Sequence, residues 1–394
     1  LPMPRNLTQL DEWPRHQTLD TFDMVASDSE RWSDGSWICV GDPAGTCHLI
    51  TALRWYPNTN VVDGYAIVAL DDGRQHNLRV SRRMRPAIDD LSCGPLWMRI
   101  VEGLRVLELG AAPNESGIEF DLRWDGFSPC FDETSGIRRY QDGRVVRARS
   151  NFVQVGNVSG TITVHGRRFD VGSSWVGARD HSWGIGDTGN GNQRGFAAPT
   201  GGPASAHQGA TLRHFGLRHF TFVRFPTRSV FFRFHHAADG RISDDHSWVD
   251  YPYGSGREGW GYVSKEVESV EFVEGRRRIA RSVVRLGRPD GGFDRFAIRP
   301  VSRPLYMKGG GYWDGFDDGL GRGVYRGELT VEHDVWDVSH PTVVRDLAGE
   351  VVPQRNGAWA EEIAVFENLD DPTEVGLGEF EGVVGGPYPG VTEE

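Results

Sequence analysis

Three adjacent side chains in the middle of the chain, Arg179, Asp180 and His181, are chemically suited to moving a proton. A carboxyl group that is shielded from water, or paired with an imidazole, can act as a general acid near neutral pH. A neighbouring guanidinium can orient that carboxylate or bind an oxyanion. The same groups can also form a purely structural salt-bridge network between two sheets. The sequence leaves both interpretations open.

Two tryptophans, Trp175 and Trp183, flank this group. In a strand, successive side chains point to opposite faces, which places Arg179 and His181 on one face and Asp180 on the other. In a catalytic site, the indole rings would stabilise cationic character in a substrate. In the structural interpretation they are core residues.

Histidines are concentrated in the middle of the chain. They are His207, His214, His219, His235, His236 and His246. The five-residue spacing of two of them, His214 and His219, places them on opposite faces of a strand and argues against a joint metal site. His219 is a candidate for lining a cavity. No metal ligand set is predicted.

A glycine-rich stretch over residues 307–315 contains Tyr312 and Asp314. It lacks the residue order of a phosphate-binding loop, so no nucleotide site is predicted. Tyr312 is a candidate substrate contact, although a wide turn with an aromatic anchor explains the same pattern. Tyr140 is a further candidate. The chain contains no nucleophile-elbow motif, and no cofactor is predicted.

The composition narrows the class of protein. The formal net charge is -12, which disfavours a general nucleic-acid binder. The four cysteines form no C-x-x-C pair, and free buried thiols are expected, with a Cys39–Cys47 bridge as the alternative. No apolar run reaches the ~18 residues of a membrane span. We therefore expect a cytoplasmic protein without a membrane span.

Short alternating segments separated by glycine predict an all-β chain. Phe120, Leu122 and Trp124 alternate with charged residues, which is typical of a half-buried strand. The sequence Asp-Asp-Gly-Arg at 71–74 predicts a hairpin turn. The best candidates for short helices are residues 85–93 and 361–368.

The number of strands favours two antiparallel β-barrel or sandwich domains in tandem over one large sandwich. We predict an N-terminal arm over 1–30, a first domain over 31–190, a second domain over 205–348 and a C-terminal extension over 349–394. The extension is polar, with scattered glycine and proline, and is predicted to be a loosely ordered tail.

The segment Gly177–Gly184 resembles the G-x-R-D-x-S-W-G signature of the carotenoid 1,2-hydratase (hydroxyneurosporene synthase) and AttH-like family. The resemblance extends over roughly residues 30–345, and only the central motif is specific. It implies two lipocalin-like β-barrel domains and a cofactor-independent hydratase or cyclase of hydrophobic substrates. It also implies a pocket near Arg179, Asp180 and His181.

Together these observations predict a hydratase, dehydratase, isomerase or cyclase acting on a terpenoid-, steroid- or polyketide-like molecule. Asp180 is the expected acid, His181 its proton relay and Arg179 the group that holds it. The expected partner is a hydrophobic small molecule, and a homodimer is left open. The alternatives are a carrier of lipophilic ligands and a structural protein without a pocket.

Overall fold

The computed structural model describes residues 24–391, except 135–137, 142–143, 187–215, 275–276, 341–342, 355–359 and 386–387. Within this part of the chain the regular elements are strands, together with a 3₁₀ turn at Met307–Gly310, and no α-helix occurs. The strands are rich in valine, isoleucine and aromatic residues, which suit a pleated and half-buried surface. The prediction of an all-β chain built from antiparallel barrels or sandwiches is confirmed, and the strands form two large antiparallel sheets.

The strands are numbered in chain order. The first thirteen are β1 (Trp32–Gly41), β2 (Cys47–Tyr56), β3 (Val61–Leu70), β4 (Arg74–Arg83), β5 (Ser92–Cys93), β6 (Leu96–Glu102), β7 (Val106–Ala111), β8 (Ile118–Gly126), β9 (Phe131–Asp132), β10 (Arg138–Gln141), β11 (Arg144–Val164), β12 (Arg167–Val171) and β13 (Val176–Ile185). The others are β14 (Gly216–Arg224), β15 (Ser229–His236), β16 (Ile242–Asp250), β17 (Ser264–Phe272), β18 (Ile279–Gly287), β19 (Phe293–Pro300), β20 (Leu305–Tyr306), β21 (Leu329–Asp337), β22 (Arg345–Asp346), β23 (Ala360–Asn368) and β24 (Val375–Gly385).

Two sheets account for all of these strands. The main path of the first sheet runs β22-β21-β4-β3-β2-β1-β13-β11-β8-β7-β6-β5, and β9, β10 and β12 also pair with β11. The second runs β16-β15-β14-β24-β23-β19-β18-β17, with β20 beside β23. One sheet forms a nearly closed barrel and the other a half-barrel.

The two faces of strand β1 contribute to different cores. Ile38 and Val40 pack inside the first sheet. Trp37 and Cys39 point the other way, into a second apolar cluster that includes residues from both sheets. A strand covered on both faces has no solvent side, which explains why β1 to β3 are buried along almost their whole length.

Aromatic side chains join the two sheets at this shared cluster. Trp37 lies 6.1 Å from Phe222, and Phe131 stacks on Trp248 at 5.3 Å, measured between ring centroids. Gly41 allows the sheets to approach closely, because an added Cβ would lie 2.1 Å from Cγ1 of Ile363. The interface between the sheets is therefore a packed core in its own right.

The chain segments that build each sheet differ from the predicted segments. Strand β21, predicted within the second domain, pairs with β4 of the first sheet. Strands β23 and β24, in the predicted C-terminal extension, lie in the middle of the second sheet. The prediction of a loosely ordered tail is therefore wrong. The glycines that suggested it make close packing possible: a Cβ on Gly378 would lie 2.2 Å from the carbonyl oxygen of Phe222 on β14.

The two helix candidates are also wrong. Residues 361–368 lie in strand β23, and residues 85–93 form turns and the two-residue strand β5. Strand pairing on both sides satisfies the backbone of β23, which overrides any local helix preference. No described helix has the length and apolar character needed to cross a bilayer.

Candidate active site

The Arg-Asp-His triplet lies on β13, in the middle of the first sheet between β1 and β11. Its side chains alternate as the strand geometry predicts. Arg179 and His181 are fully buried inside the first sheet, whereas Asp180 is half-buried on the opposite face. The three adjacent residues therefore belong to two different environments.

Arg179 is held by neutral and aromatic groups. Its Nε and Nη2 atoms donate hydrogen bonds of 2.9 and 2.6 Å to Oε1 of Gln154. Its guanidinium lies over the rings of Trp124 and Phe152, at 5.5 and 5.4 Å from the centroids. Gln154 in turn donates a 2.7 Å hydrogen bond to the carbonyl oxygen of Ser128. These contacts join strands inside the barrel.

His181 is also bound within the first sheet. Its Nε2 lies 2.8 Å from Oδ1 of Asp34, and its Nδ1 lies 3.3 Å from Oγ of Ser36. The imidazole stacks on Phe152 and meets Trp183 edge-on. Both ring nitrogens thus have partners on the neighbouring strand β1. This arrangement joins β13 to β1 and leaves the imidazole away from Asp180.

Asp180 faces a cavity between the two sheets. Its Oδ2 lies 3.3 Å from Nη2 of Arg149 on β11. Its Oδ1 is buried and has no hydrogen-bond partner among the described residues. A buried carboxylate oxygen without a hydrogen-bond donor costs free energy. Asp180 is therefore available to a molecule in the cavity.

The cavity has a volume of about 140 Å³, close to the roughly 150 Å³ of an engineered protein cavity that binds benzene. Strands of both sheets and the segment after the 3₁₀ turn contribute to its walls. The lining residues are Ser36, Trp37, Ala52, Arg54, Glu133, Arg147, Arg149, Asn151, Asp180, Arg218, Phe220, Arg233, Met307, Tyr312, Trp313, Arg322, Glu361 and Glu381. Ten of these eighteen residues are charged, so the cavity is strongly polar with an aromatic portion.

A cluster of three carboxyl groups lies on the second sheet: Glu361 on β23, and Glu379 and Glu381 on β24. Glu361 and Glu381 line the cavity, and Glu379 is fully buried beside them. Burial raises the pKa of Glu379 well above its usual range, and the charges of Glu361 and Glu381 raise it further. Arg218 partly compensates by donating a 3.3 Å hydrogen bond to Glu381. Burial and the two neighbouring carboxyl groups therefore favour the protonated form of Glu379.

The residues predicted to contact a substrate lie in different parts of the structure. Tyr312 lines the cavity, and its hydroxyl lies 3.3 Å from that of Tyr65. Trp175 is buried in the core of the first sheet, and Trp183 contacts His181. Tyr140 is 66% exposed on β10. Of the predicted residues, Asp180 and Tyr312 share the cavity walls.

His219 is buried in the second sheet, on the face of β14 opposite to the cavity residues Arg218 and Phe220. Its Nε2 lies 2.9 Å from Oγ of Ser282, and its ring stacks on Phe234. Burial lowers the pKa of His219 to about 3, so the imidazole is neutral. Two other histidines of the cluster, His207 and His214, lie outside the described residues. Among the residues described, no three histidine, cysteine or carboxylate side chains are placed to hold a metal ion.

Sequence reasoning missed the carboxyl cluster and the arginines of the cavity. One signal was present: Glu379 and Glu381 alternate with apolar residues in a segment that also contains Leu377. Charged residues at i and i+2 of a buried strand share a face and need an explanation. The free cysteines are as expected, since all four are buried and unbridged.

Comparison with known proteins places the chain in a family. The model of a family of unknown function, DUF8625, matches residues 7–388. The chain belongs to this family. No curated protein matches the sequence significantly.

Several solved structures resemble the chain over most of its length. Kievitone hydratase from Nectria haematococca is 12% identical over 89% of both chains, with a TM-score of 0.46. An AttH candidate from Nitrosomonas europaea is 11% identical over 94% of this chain and 98% of its own, with a TM-score of 0.49. CghA with Sch210972 is 10% identical over 90% of this chain and 89% of its own, with a TM-score of 0.46. The resemblance to AttH-like proteins expected from the central motif is confirmed. Similarity at this level assigns no reaction to this chain.

Proposed function

We propose that this chain is a cofactor-independent enzyme that performs acid–base catalysis on a largely hydrophobic small molecule in the cavity between the sheets. The reaction class is hydration or dehydration of a carbon–carbon double bond, or a related isomerisation or cyclisation. One observation supports this most strongly. Asp180 on the first sheet and Glu361 and Glu381 on the second, with Glu379 buried beside them, line one cavity that also contains aromatic rings.

The two carboxyl sites suit different roles. The surroundings of Glu379 favour its protonated form, and Glu361 and Glu381 extend its cluster to the cavity wall. The cluster is therefore the acid that protonates one carbon of a double bond. Asp180, paired with Arg149, is the base that accepts the proton of the attacking water. In dehydration the same groups act in reverse.

This assignment changes the roles expected from sequence. The acid role moves from Asp180 to the glutamate cluster, and Arg149 replaces Arg179 as the residue that holds the carboxylate of Asp180. The aromatic role passes from Trp175 and Trp183 to the rings that line the cavity: Trp37, Phe220, Tyr312 and Trp313. Their π faces would stabilise positive charge that develops on the substrate.

The competing function is a non-catalytic carrier of lipophilic ligands. A carrier for purely apolar cargo needs an apolar lining, because charges that lose water without gaining partners are costly. The cavity wall contains six arginines and four acidic residues. This lining favours a ligand that reacts with, or is bound by, charged groups.

We propose that this activity is cytoplasmic. All four cysteines are free and buried in the described structure. Unbridged cysteines are the usual condition in reducing compartments.

Solvent isotope incorporation tests the proposal. Ligands found by thermal stabilisation of the purified protein are incubated with it in D₂O and in H₂¹⁸O, and the products are analysed by mass spectrometry. We expect the wild type to add deuterium or ¹⁸O, and Asp180→Asn to lose about a hundredfold or more of this rate. Asp170→Asn, whose side chain is exposed on β12, is the matched control. A ligand that binds tightly without any isotope incorporation would support the carrier instead.

A further inference from the structure

Arg322 is a buried guanidinium without a carboxylate partner. It is 4% exposed and lines the cavity. Its guanidinium carbon lies 3.7 Å from the ring centroid of Tyr312 and 5.9 Å from that of Tyr65. Its Nε is buried without a hydrogen-bond acceptor, and no ion pair joins it to a carboxylate in the described part of the chain. Burying a guanidinium group without a counter-ion costs free energy, unless a bound ligand supplies the opposite charge.

Asp63 is the acidic residue that interacts electrostatically with Arg322, and it compensates the charge only in part. Burial raises the pKa of Asp63 to about 6, so this carboxyl is mostly ionised at pH 7 and loses its charge only as the pH falls through about 6. Its Oδ2 already accepts a hydrogen bond from the backbone N–H of Gly323. The positive charge of Arg326 also interacts with this carboxylate. Asp63 therefore divides its negative charge between two arginines, and no carboxylate in the described part of the chain contacts the Arg322 guanidinium directly.

A second arginine of the cavity, Arg54, has neutral partners. It donates hydrogen bonds to Oγ of Ser33 at 2.9 Å, to Oγ of Ser182 at 2.7 Å and to the carbonyl oxygen of Gly35 at 3.1 Å. Arg149, another arginine that lines the cavity, forms an ion pair with Asp180. Two buried guanidinium groups thus contribute positive charge to the cavity without a carboxylate of their own.

We propose that Arg322 binds a carboxylate of the substrate, with Tyr312 forming one side of this subsite and Arg54 adding positive charge. The planar guanidinium matches a carboxylate in a two-point contact. The aromatic rings of the cavity then hold the apolar part of the same molecule. This inference rests on the proposed function and specifies its substrate class as a hydrophobic carboxylic acid.

Binding of matched probes tests this subsite without a known substrate. Isothermal titration compares benzoate, phenylacetate and trans-cinnamate with their neutral primary amides, which have nearly the same shape. We expect the wild type to bind at least one carboxylate about tenfold or more tighter than its amide. Arg322→Gln should remove this preference, and Arg322→Lys should retain part of it. Equal affinity of the wild type for every acid and its amide would overturn the inference.

Controls separate this inference from the proposed function. Arg123→Gln alters an exposed arginine on β8 and should leave the preference unchanged. Asp180→Asn should abolish turnover and leave carboxylate binding intact. Near-ultraviolet circular dichroism checks that Arg322→Gln is folded; if it is not, Arg322→Lys and the wild-type comparison decide. A folded Arg322→Gln that still prefers carboxylates contradicts the inference, whereas a carboxylate preference in the probes without isotope incorporation into any stabilising ligand contradicts only the proposed function.

Discussion

The two faces of strand β13 differ in how fully their polar atoms are bonded. Inside the first sheet, Arg179 and His181 form hydrogen bonds with neighbouring side chains. On the opposite face, Asp180 has a buried oxygen without a donor, and Arg149 has a buried Nε without an acceptor. These residues are neighbours in sequence or across one strand pair, yet they belong to different kinds of site.

This difference separates stabilising residues from residues that can bind a ligand. A satisfied buried network strengthens the fold and fixes its strand pairing. A buried polar group without a hydrogen-bond partner lowers the free energy of unfolding by roughly 1–3 kcal/mol. Such groups are typical of sites where a ligand supplies the missing partner. We therefore assign structure to the inner face of β13 and chemistry to its outer face.

The largest effect on stability is expected from Arg179→Ala. This change leaves Oε1 of Gln154 without its donors and opens a hole beside Trp124. The free energy of unfolding should fall by about 3–5 kcal/mol, measured in urea. Arg168→Ala on β12, with a 62% exposed side chain, should change it little. A stable Arg179→Ala protein without turnover would contradict the assignment of Arg179 to structure.

The largest effect on chemistry after Asp180 is expected from Glu379→Gln. The amide resembles a protonated carboxylic acid in shape but cannot donate its proton to carbon. Turnover should fall about a hundredfold, with the free energy of unfolding within about 1 kcal/mol of the wild type. Glu268→Gln, on the second sheet at β17, is the control, because its carboxylate pairs with Arg295 outside the cavity. Undiminished turnover in Glu379→Gln would remove the glutamate cluster from the mechanism.

A smaller effect is expected from the buried histidines when the pH falls. Burial lowers the pKa of His219 to about 3, whereas the unfolded chain has a value near 6.5. The unfolded state therefore binds the extra proton between about pH 6.5 and pH 3, and stability is lost as the pH falls through this window. Replacing His219 by Gln should reduce the loss between about pH 7.5 and pH 5 by up to ~2 kcal/mol.

Urea titrations at the two pH values measure this contribution. His333→Gln on β21 is the control, because its side chain is exposed. An unchanged pH dependence in His219→Gln would show that the imidazole does not stay neutral in the fold.

The smallest effect is expected from Tyr140→Ser. The sequence suggested Tyr140 as a substrate contact, but its side chain is 66% exposed on β10 and does not line the cavity. Turnover and the Michaelis constant should both remain within about twofold of the wild type. Tyr312→Phe, which removes a hydroxyl beside the cavity, offers the comparison. A larger loss in Tyr140→Ser than in Tyr312→Phe would place the substrate elsewhere.

Local periodicity predicted much of the fold and the orientation of the triplet. The alternation of Phe120, Leu122 and Trp124 and the faces of Arg179, Asp180 and His181 follow from strand geometry alone. These features depend on neighbouring residues, which a single sequence displays directly.

The composition of the cavity could not be predicted in the same way. Asp180 meets Arg149 because β11 pairs with β13, and it shares the cavity with Glu361 and Arg322 because distant segments return to it. Such long-range pairings are set by sheet order, which periodicity does not encode. The glycines of β24 were interpreted as loop residues for the same reason, since their close contacts are with another strand.

Paired variants of two adjacent residues test the central claim most directly: Asp180→Asn and His181→Gln, each measured for turnover per folded molecule and for the free energy of unfolding. We predict that Asp180→Asn loses about a hundredfold or more of turnover while its stability changes by less than about 1 kcal/mol. We predict that His181→Gln loses about 1–3 kcal/mol of stability, because the hydrogen bonds of the imidazole to Asp34 and Ser36 are lost, and retains turnover within a few-fold. Full turnover in a folded Asp180→Asn protein, together with its loss in a folded His181→Gln protein, would contradict the account.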